Sequence, residues 1–472
     1  MHYTLLLMAL GCGALLSAQV PVPDRAAMDA ETLRHFRAVL QMDSSGPPAY
    51  ESKVAEYVRA TLADAGIEVK VFAKDPMRPN VVARLRGSGK KRPLLYMAHT
   101  DTVEVQADKW TYPPFSATRN GGYVYGRGAT DNKHDLAAGL MLMLQLKRLN
   151  VPLDRDVIFL AESGEEGQVE WGIQYMVENH WSEIEAEFAI AEGGGAVRKG
   201  GKELNVNVAT AEKSPNPVAL LVKGTAGHGS IPLADNAIGR LSQAVSRVYQ
   251  WQPPMRLNDT TRAYFERLAT ISTPEAAARY NGLLNPEKTA AIQEYLRVYE
   301  PTHNSMLRTS VSVNMIGGGY RVNVIPATAT ATLDIRAVPN EDIEAFMAEL
   351  RKVINDPSIE IQGRGMYRPR APATPIDTEM FRAIEVAQRK VYPGLVTIPS
   401  MLTGATDMSF LRAKGVPSYG IGPMVDAEDV EKGYGPHSDQ ERLLESELFR
   451  YTHFVWEIVN KIAGRKPLTD RK

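Results

Sequence analysis

The sequence holds a single cysteine, Cys12, in 472 residues. A lone thiol excludes an intrachain disulfide framework and a thiolate zinc finger, so any metal here must rest on imidazole and carboxylate groups. An excess of one charge is lacking too, since 54 Lys and Arg against 55 Asp and Glu leave a net charge of −1. That balance gives no electrostatic reason to expect nucleic acid or an anionic membrane surface as a partner. The only long apolar run is residues 5–16, too short to cross a bilayer as a helix, and no transmembrane span is expected. What remains is ordinary: 44% hydrophobic and 23% charged residues with 37 glycines, ample apolar side chain for a core. At roughly 150 residues per domain, the length corresponds to about two to four domains.

The apolar run precedes Ser17-Ala18-Gln19 and the proline-bearing start Val20-Pro21-Val22-Pro23-Asp24. This order reads as a secretory signal peptide over residues 1–18, cleaved after Ala18, although only the terminal amine and His2 supply positive charge ahead of it. A second reading places the cut before Cys12, because Ala9-Leu10-Gly11-Cys12 resembles a bacterial lipoprotein box and would leave a lipid anchor on Cys12. A third is a buried N-terminal helix. The first two make the protein secreted or periplasmic.

Helical spacing covers 27–40 and 50–65, where Val54, Tyr57, Val58 and Leu62 share a stripe. Strand-like runs at 68–72, 80–85, 93–99, 156–161 and 188–191 then alternate with helical stretches at 136–149 and 171–179. Such alternation reads as an α/β sheet covered on both faces. From about Lys213 the pattern changes: strand 218–223, helix 236–251, strands 310–316 and 327–336, helix 341–354, strand 359–362. That order, β-α-β-β-α-β, is the ferredoxin-like motif. A segment of helical composition, 252–304, interrupts it, with breaks at Pro253-Pro254 and Pro274, and its role stays open. Signals resume from residue 364 with 380–391, 418–421 and 446–462. The expected organisation is one α/β domain made of 24–212 and 364–466, with a smaller domain, 213–363, inserted in it.

Five short segments hold most of the chemistry-bearing polar residues, each past an expected strand or at a turn, where ligands of open α/β sheets gather. In Tyr96-Met97-Ala98-His99-Thr100-Asp101 an apolar strand ends in an imidazole, with a carboxylate two residues on along the same side. This suits a metal-ligating His99 whose tautomer Asp101 fixes, although alone it also reads as a turn histidine. Asp131 opens a helix after Tyr125-Gly126-Arg127-Gly128-Ala129-Thr130; it reads as an N-cap or as a carboxylate bridging two metal ions. The adjacent Glu165 and Glu166 repel one another unless a cation compensates, and they read equally as a solvated acidic turn. Glu192 ends an apolar strand before Gly193-Gly194-Gly195, and His437 lies in the loop Tyr434-Gly435-Pro436-His437-Ser438-Asp439-Gln440-Glu441-Arg442. Singly each is weak. Together they offer nitrogen and oxygen ligands of the kind that suit zinc, with manganese or cobalt as substitutes.

In order and wording these motifs resemble the co-catalytic di-zinc metallopeptidases that include succinyl-diaminopimelate desuccinylase, the aminoacylases, glutamate carboxypeptidase and carboxypeptidase S. The resemblance runs from about residue 30 to 463. Trp110, Pro113-Pro114-Phe115 and Tyr125-Gly126-Arg127-Gly128 look like the carboxypeptidase S and N-acyl-amino-acid hydrolase branch. It implies a mixed-sheet α/β/α catalytic domain with an inserted ferredoxin-like α+β lid, through which such enzymes form homodimers. It implies two Zn2+ per chain, held by His99, Asp131, Glu166, Glu192 and His437, with Asp131 bridging and Asp101 orienting His99. A cis peptide bond is implied at Asp131–Asn132. Glu165 corresponds to the general base that activates a metal-bridged hydroxide, and His228, in Gly227-His228-Gly229-Ser230, to a lid histidine that polarises the scissile carbonyl. Asn323 and Arg336 match residues that hold a substrate carboxylate, although Arg336 also reads as the plain partner of Asp334 or another neighbour, and Gly404 matches a loop lining the substrate site. The chain departs from the family in Asn132-Lys133-His134-Asp135, where Asp-Lys or Met-Lys is common; His134 is read as structural. His35, His180, His303 and His453 are read as exposed or helix-face residues.

The substrate implied is a small peptide or an N-acyl amino acid with a free carboxylate, because a Glu at the position of Glu192 accompanies acylases and carboxypeptidases in this family. A dipeptidase or aminopeptidase of the same fold is the alternative, and a catalytically dead binding module is a third reading.

Overall fold

A computed structural model describes residues 22–48, 50–365 and 368–465. The expected signal peptide, residues 1–18, and the lipid anchor expected at Cys12 lie outside the described residues. No helix among the described residues is long and apolar enough to cross a membrane.

The apolar runs after the first helices form a mixed ten-stranded sheet. Across it the order is Glu68–Phe72, Asn80–Leu85, Val157–Glu162, Leu94–His99, Phe188–Ala191, Ser418–Gly420, Lys202–Glu212, Gly195–Lys199 and Val425–Asp426, and Val396–Leu402 also pairs with Lys202–Glu212. The central strands Val157–Glu162, Leu94–His99 and Phe188–Ala191 are parallel and buried along their whole length. Both of their faces are covered, which explains why they read as unbroken apolar runs rather than alternating ones. One face packs on Lys133–Arg148 and Glu445–Ala463, among Leu140, Leu144, Phe454 and Ile458. The other packs on Ile173–Asn179 and Met408–Ala413 through Met176 and Leu411. Parallel strands bring their carboxyl ends to one edge, so His99, Glu162 and Ala191 end side by side.

The inserted domain is ferredoxin-like. Its sheet runs Glu360–Gly363, Val218–Lys223, Thr328–Ala337, Ser310–Gly318, all antiparallel, with Ser214–Pro215 also paired to Thr328–Ala337. The helices Ala237–Gln250 and Ile343–Ile354 bury Leu241, Val248, Phe346 and Leu350 against one face. The expected β-α-β-β-α-β order is present in chain order.

Between the first helix and second strand of that domain stand Asp259–Ile271, Pro274–Asn281, Thr289–Tyr299 and Pro301–Met306. They have a small core of their own around Phe265, Tyr280, Leu283 and Leu296. Their first helix also docks on the larger sheet: Thr260 and Thr210 share a hydroxyl hydrogen bond at 3.0 Å, and Arg267 donates to the Thr397 carbonyl at 2.8 Å. The interrupting segment therefore joins the inserted domain's sequence to the larger sheet's surface.

Candidate metal centre

His99 is the last residue of its strand, and its neighbour Thr100 donates backbone N–H and hydroxyl to the Glu162 carbonyl. Two strand tips are thereby tied together at the sheet's carboxyl edge. The His99 Nδ1 lies 3.0 Å from the Asp101 carbonyl and 3.3 Å from its Oδ1, so Asp101 fixes the ring and leaves Nε2 free to face the site. The buried Asp101 carboxylate also accepts the N–H groups of Glu165 at 3.2 Å and Glu166 at 3.1 Å. This second contact, unseen in the sequence, makes one carboxylate position both the imidazole and the two adjacent glutamates.

Asp131 lies beyond Gly128, whose φ of +89° and whose closeness to Thr102, 2.9 Å from where a Cβ would stand, both exclude a side chain. The Asp131–Asn132 peptide bond is cis. Asn132 donates to Glu192 Oε2 at 3.0 Å and so orients that carboxylate. His437 is reached through a loop, with φ +62°.

The side chains converge as two triads that share Asp131. Asp131 Oδ1 is 3.1 Å from His99 Nε2, which is 3.6 Å from Glu192 Oε2. Asp131 Oδ2 is 3.1 Å from His437 Nε2, which is 3.1 Å from Glu166 Oε1. Two ligands about 2.0 Å from one tetrahedral ion lie about 3.3 Å apart, so these separations fit a divalent ion in each triad. The five residues of the metal-ligand expectation are thus brought together, with one Asp131 oxygen turned to each triad.

The electrostatics point the same way. His437 is pushed up to about 10 by its hydrogen bonds to Asp131 and Glu166. Burial works to lower His99, yet Glu192, Asp101 and Asp131 outweigh it and raise it well above the ordinary range. Burial raises Asp131, but His437 and His99 pull it below the usual carboxylate range. Carboxylates packed this closely around two imidazoles call for positive charge, and this nitrogen and oxygen donor set suits zinc and its neighbours.

Glu165 is buried beside the triads, and burial pushes its carboxyl well up, against the opposing charge of Arg368. Arg368 donates to Glu165 Oε1 at 2.8 Å and to its carbonyl at 2.7 Å, while its other arm holds Asp407 at 2.6 Å. Sequence reasoning missed Arg368. It stands in the irregular stretch after the lid, without a motif around it.

The remaining expected residues lie apart from the triads. His228 and Asn323 are neighbours on a lid ribbon that pairs Gly227–His228 with Val324–Ile325; both are exposed, and the Gly229 N–H donates to the Asn323 carbonyl at 2.9 Å. His228 Nδ1 bonds the Ser230 hydroxyl at 2.7 Å. Arg336 Nε pairs with Asp334 at 2.9 Å and 3.1 Å, inside the lid. Gly404 is exposed, with open space where a Cβ would stand.

His134 lies in neither triad; burial lowers it to about 4, and its ring meets Tyr451 edge-on. Of the other four histidines, read as exposed or helix-face, His35, His303 and His453 do lie on helices and His180 ends one, but none is exposed. His35 is buried on Tyr57, and His180, His303 and His453 are half-buried against Tyr175, Glu300 and Asp29.

The family model "Peptidase family M20/M25/M40" matches residues 95–461. The chain is 30% identical over 353 residues to the N-fatty-acyl-amino acid synthase/hydrolase PM20D1 of Xenopus tropicalis, covering 73% of this chain and 68% of that protein. It is 27% identical over 325 residues to the probable carboxypeptidase S-like 2 of Dictyostelium discoideum, covering 67% and 62%. The fold is similar to the M20 family metallo-carboxypeptidase Sso-CP2 from Sulfolobus solfataricus, with a TM-score of 0.69, 22% identity, and coverage of 91% and 98%.

Proposed function

The chain belongs to peptidase family M20/M25/M40, and from that premise we propose that it is a secreted, two-metal amide hydrolase of N-acyl amino acids or peptides with a free carboxylate. The observation that carries the proposal is the pair of triads sharing Asp131, with Glu165 beside them.

His99, Asp131 and Glu192 would hold one divalent ion, and Asp131, Glu166 and His437 the other, zinc being the first choice. A metal pair in such a site supplies Lewis acidity to the scissile carbonyl and to water. Glu165 takes the proton from the attacking water and passes it to the leaving amine nitrogen. Burial favours this role by raising its affinity for that proton, and Arg368 keeps the carboxylate from turning away. Asp101 orients His99 and the Glu165–Glu166 backbone together. His228 polarises the substrate carbonyl from the lid, and Asn323 and Arg336 receive the substrate carboxylate, Arg336 by exchanging Asp334 for it. Gly404 leaves room at the mouth.

N-acyl amino acids are favoured by the relatives. PM20D1 is named for N-fatty-acyl-amino acids, and the family resemblance, in which a Glu at the position of Glu192 tends to accompany acylases and carboxypeptidases, agrees with it. Secretion rests on the leader pattern of residues 1–18, and N-terminal sequencing of exported protein tests it. A homodimer through the lid is supported by the exposed Met315 and Ile316 on its edge strand.

The deciding experiment offers the purified protein N-acyl amino acids, dipeptides with a free carboxylate, and amino-acid amides, with metal content measured alongside. Hydrolysis of the first, or of the first two, with about two ions per chain is the expected result. Cleavage confined to amides with a free amine overturns the substrate assignment, and a chain that takes up no divalent metal overturns the metal reading.

A further inference from the structure

Glu441 stands four residues after His437 and is fully buried, yet it belongs to neither triad. Its carboxylate is committed elsewhere. Oε2 accepts from Arg127 Nη1 at 2.8 Å and from the Gly128 N–H at 3.0 Å. Oε1 accepts from the Thr130 N–H at 2.7 Å, the Thr130 hydroxyl at 2.9 Å and the Asp131 N–H at 3.1 Å. A carboxylate offers about four lone-pair sites, so five donors leave it no capacity to ligate a metal. The backbone repeats the link: the Glu441 carbonyl accepts from the Gly126 N–H at 3.0 Å, and Arg442–Leu444 pairs antiparallel with Tyr123–Tyr125.

All five donors belong to one short segment, 127–131, and that segment ends in the residue both triads share. Asp131 must present Oδ1 to His99 and Oδ2 to His437 at the same time. A small shift of its backbone therefore degrades both triads together. His437 is held on the same stretch as Glu441, in a left-handed conformation that only surrounding contacts sustain in a non-glycine residue. We propose that Glu441 is a positioning residue of the metal centre, clamping the 127–131 backbone so that Asp131 and His437 meet in register. The proposal rests on the two-metal reading above.

The test is Glu441→Gln. The amide keeps one acceptor oxygen but turns an NH2 group onto donors, either Arg127 and Gly128 or Thr130 and Asp131. Zinc affinity is read by competition with a chromophoric chelator. The melting of the metal-free protein and the visible spectrum of the cobalt-loaded protein are read beside it. Removing an outer partner of a ligand weakens metal binding about 10- to 100-fold. The expected result is a loss of that size, a changed cobalt spectrum, and a metal-free protein that still melts cooperatively. Unchanged zinc affinity and an unchanged cobalt spectrum in folded E441Q overturn the proposal while leaving the two-metal reading intact. A wild-type protein that binds no zinc overturns both. Should E441Q not fold, Thr130→Val, which removes one donor, decides on the same measurements: weaker zinc binding with a changed cobalt spectrum supports the clamp, and no change in either overturns it.

Discussion

Arg368 and Glu165 form a contact whose strength comes from its setting. Glu165 is buried and the Arg368 side chain is only 7% exposed, and the guanidinium spans two carboxylates, Glu165 and Asp407. An arginine fixed by two buried partners has little freedom left, so the Glu165 carboxylate it holds is confined to one orientation. Glu165→Gln keeps the side chain's volume and removes the proposed base, so metal content should stay at the wild-type level while kcat falls about 10²- to 10⁴-fold. Arg368→Ala keeps the base but frees it, and a smaller loss is expected, about 10- to 100-fold in kcat with KM nearly unchanged. Metal analysis and steady-state kinetics on the two variants check both. Zinc lost from E165Q would count against the general-base assignment, and an R368A variant with wild-type kcat would make Arg368 a purely structural residue.

The elements show where the sequence was readable. The central strands announced themselves because burial on both faces demands unbroken apolar runs, and His99 at the tip of one of them was legible for the same reason. The longest strand of that sheet, Lys202–Glu212, was missed: its buried positions are Asn205, Thr210, Glu212 and four small apolar residues, Val206, Val208, Ala209 and Ala211, too small or too interrupted to stand out. Val396–Leu402 was missed because Pro399 argues against a strand; it is tolerated at a sheet's edge. Asp131 and His437 were found by motif, whereas Arg368 and the Glu441 clamp are long-range contacts with no local pattern. Lys213 follows Lys202–Glu212 where the chain enters the lid, and it donates to the Ser305 and Ser310 hydroxyls at 2.9 Å and 3.0 Å. Burial, with Arg308 and Arg336 nearby, lowers it to about 7 from an ordinary 10.5. Below about pH 7 folded and unfolded chains both carry the proton, and the burial penalty is fully present. Between about 7 and 10.5 only the unfolded chain keeps it, so this site adds stability as pH rises. Lys213→Met lacks that dependence. Its stability relative to wild type should therefore fall by about 1–2 kcal/mol between pH ~6 and pH ~9, read from denaturant melts. A relative stability that rises over the same range would contradict the assignment.

At the scale of the whole molecule, the helical insertion solves a problem that belongs to a different domain from the one that encodes it. The edge strand Val396–Leu402 pairs on one side with Lys202–Glu212 and would otherwise present unpaired backbone groups to solvent, a hazard for aggregation. The helix Asp259–Ile271 lies against that edge. Arg267 donates one nitrogen to both the Thr397 carbonyl and Glu385 Oε1, each at 2.8 Å, and Asn258 reaches Met401. A segment threaded through the lid thus seals the catalytic sheet, and it also gives the lid a further attachment besides the two chain crossings. Arg267→Ala removes the cation that satisfies the strand's carbonyl and leaves Glu385 without this partner. The expected cost is about 1–3 kcal/mol of stability, with faster amide exchange concentrated in 259–271 and 396–402 and metal content unaffected. Hydrogen-exchange mass spectrometry with a thermal melt reads both. If exchange rises instead across the lid sheet while 396–402 stays protected, the insertion serves the lid alone, and the edge is sealed by the sheet's own packing.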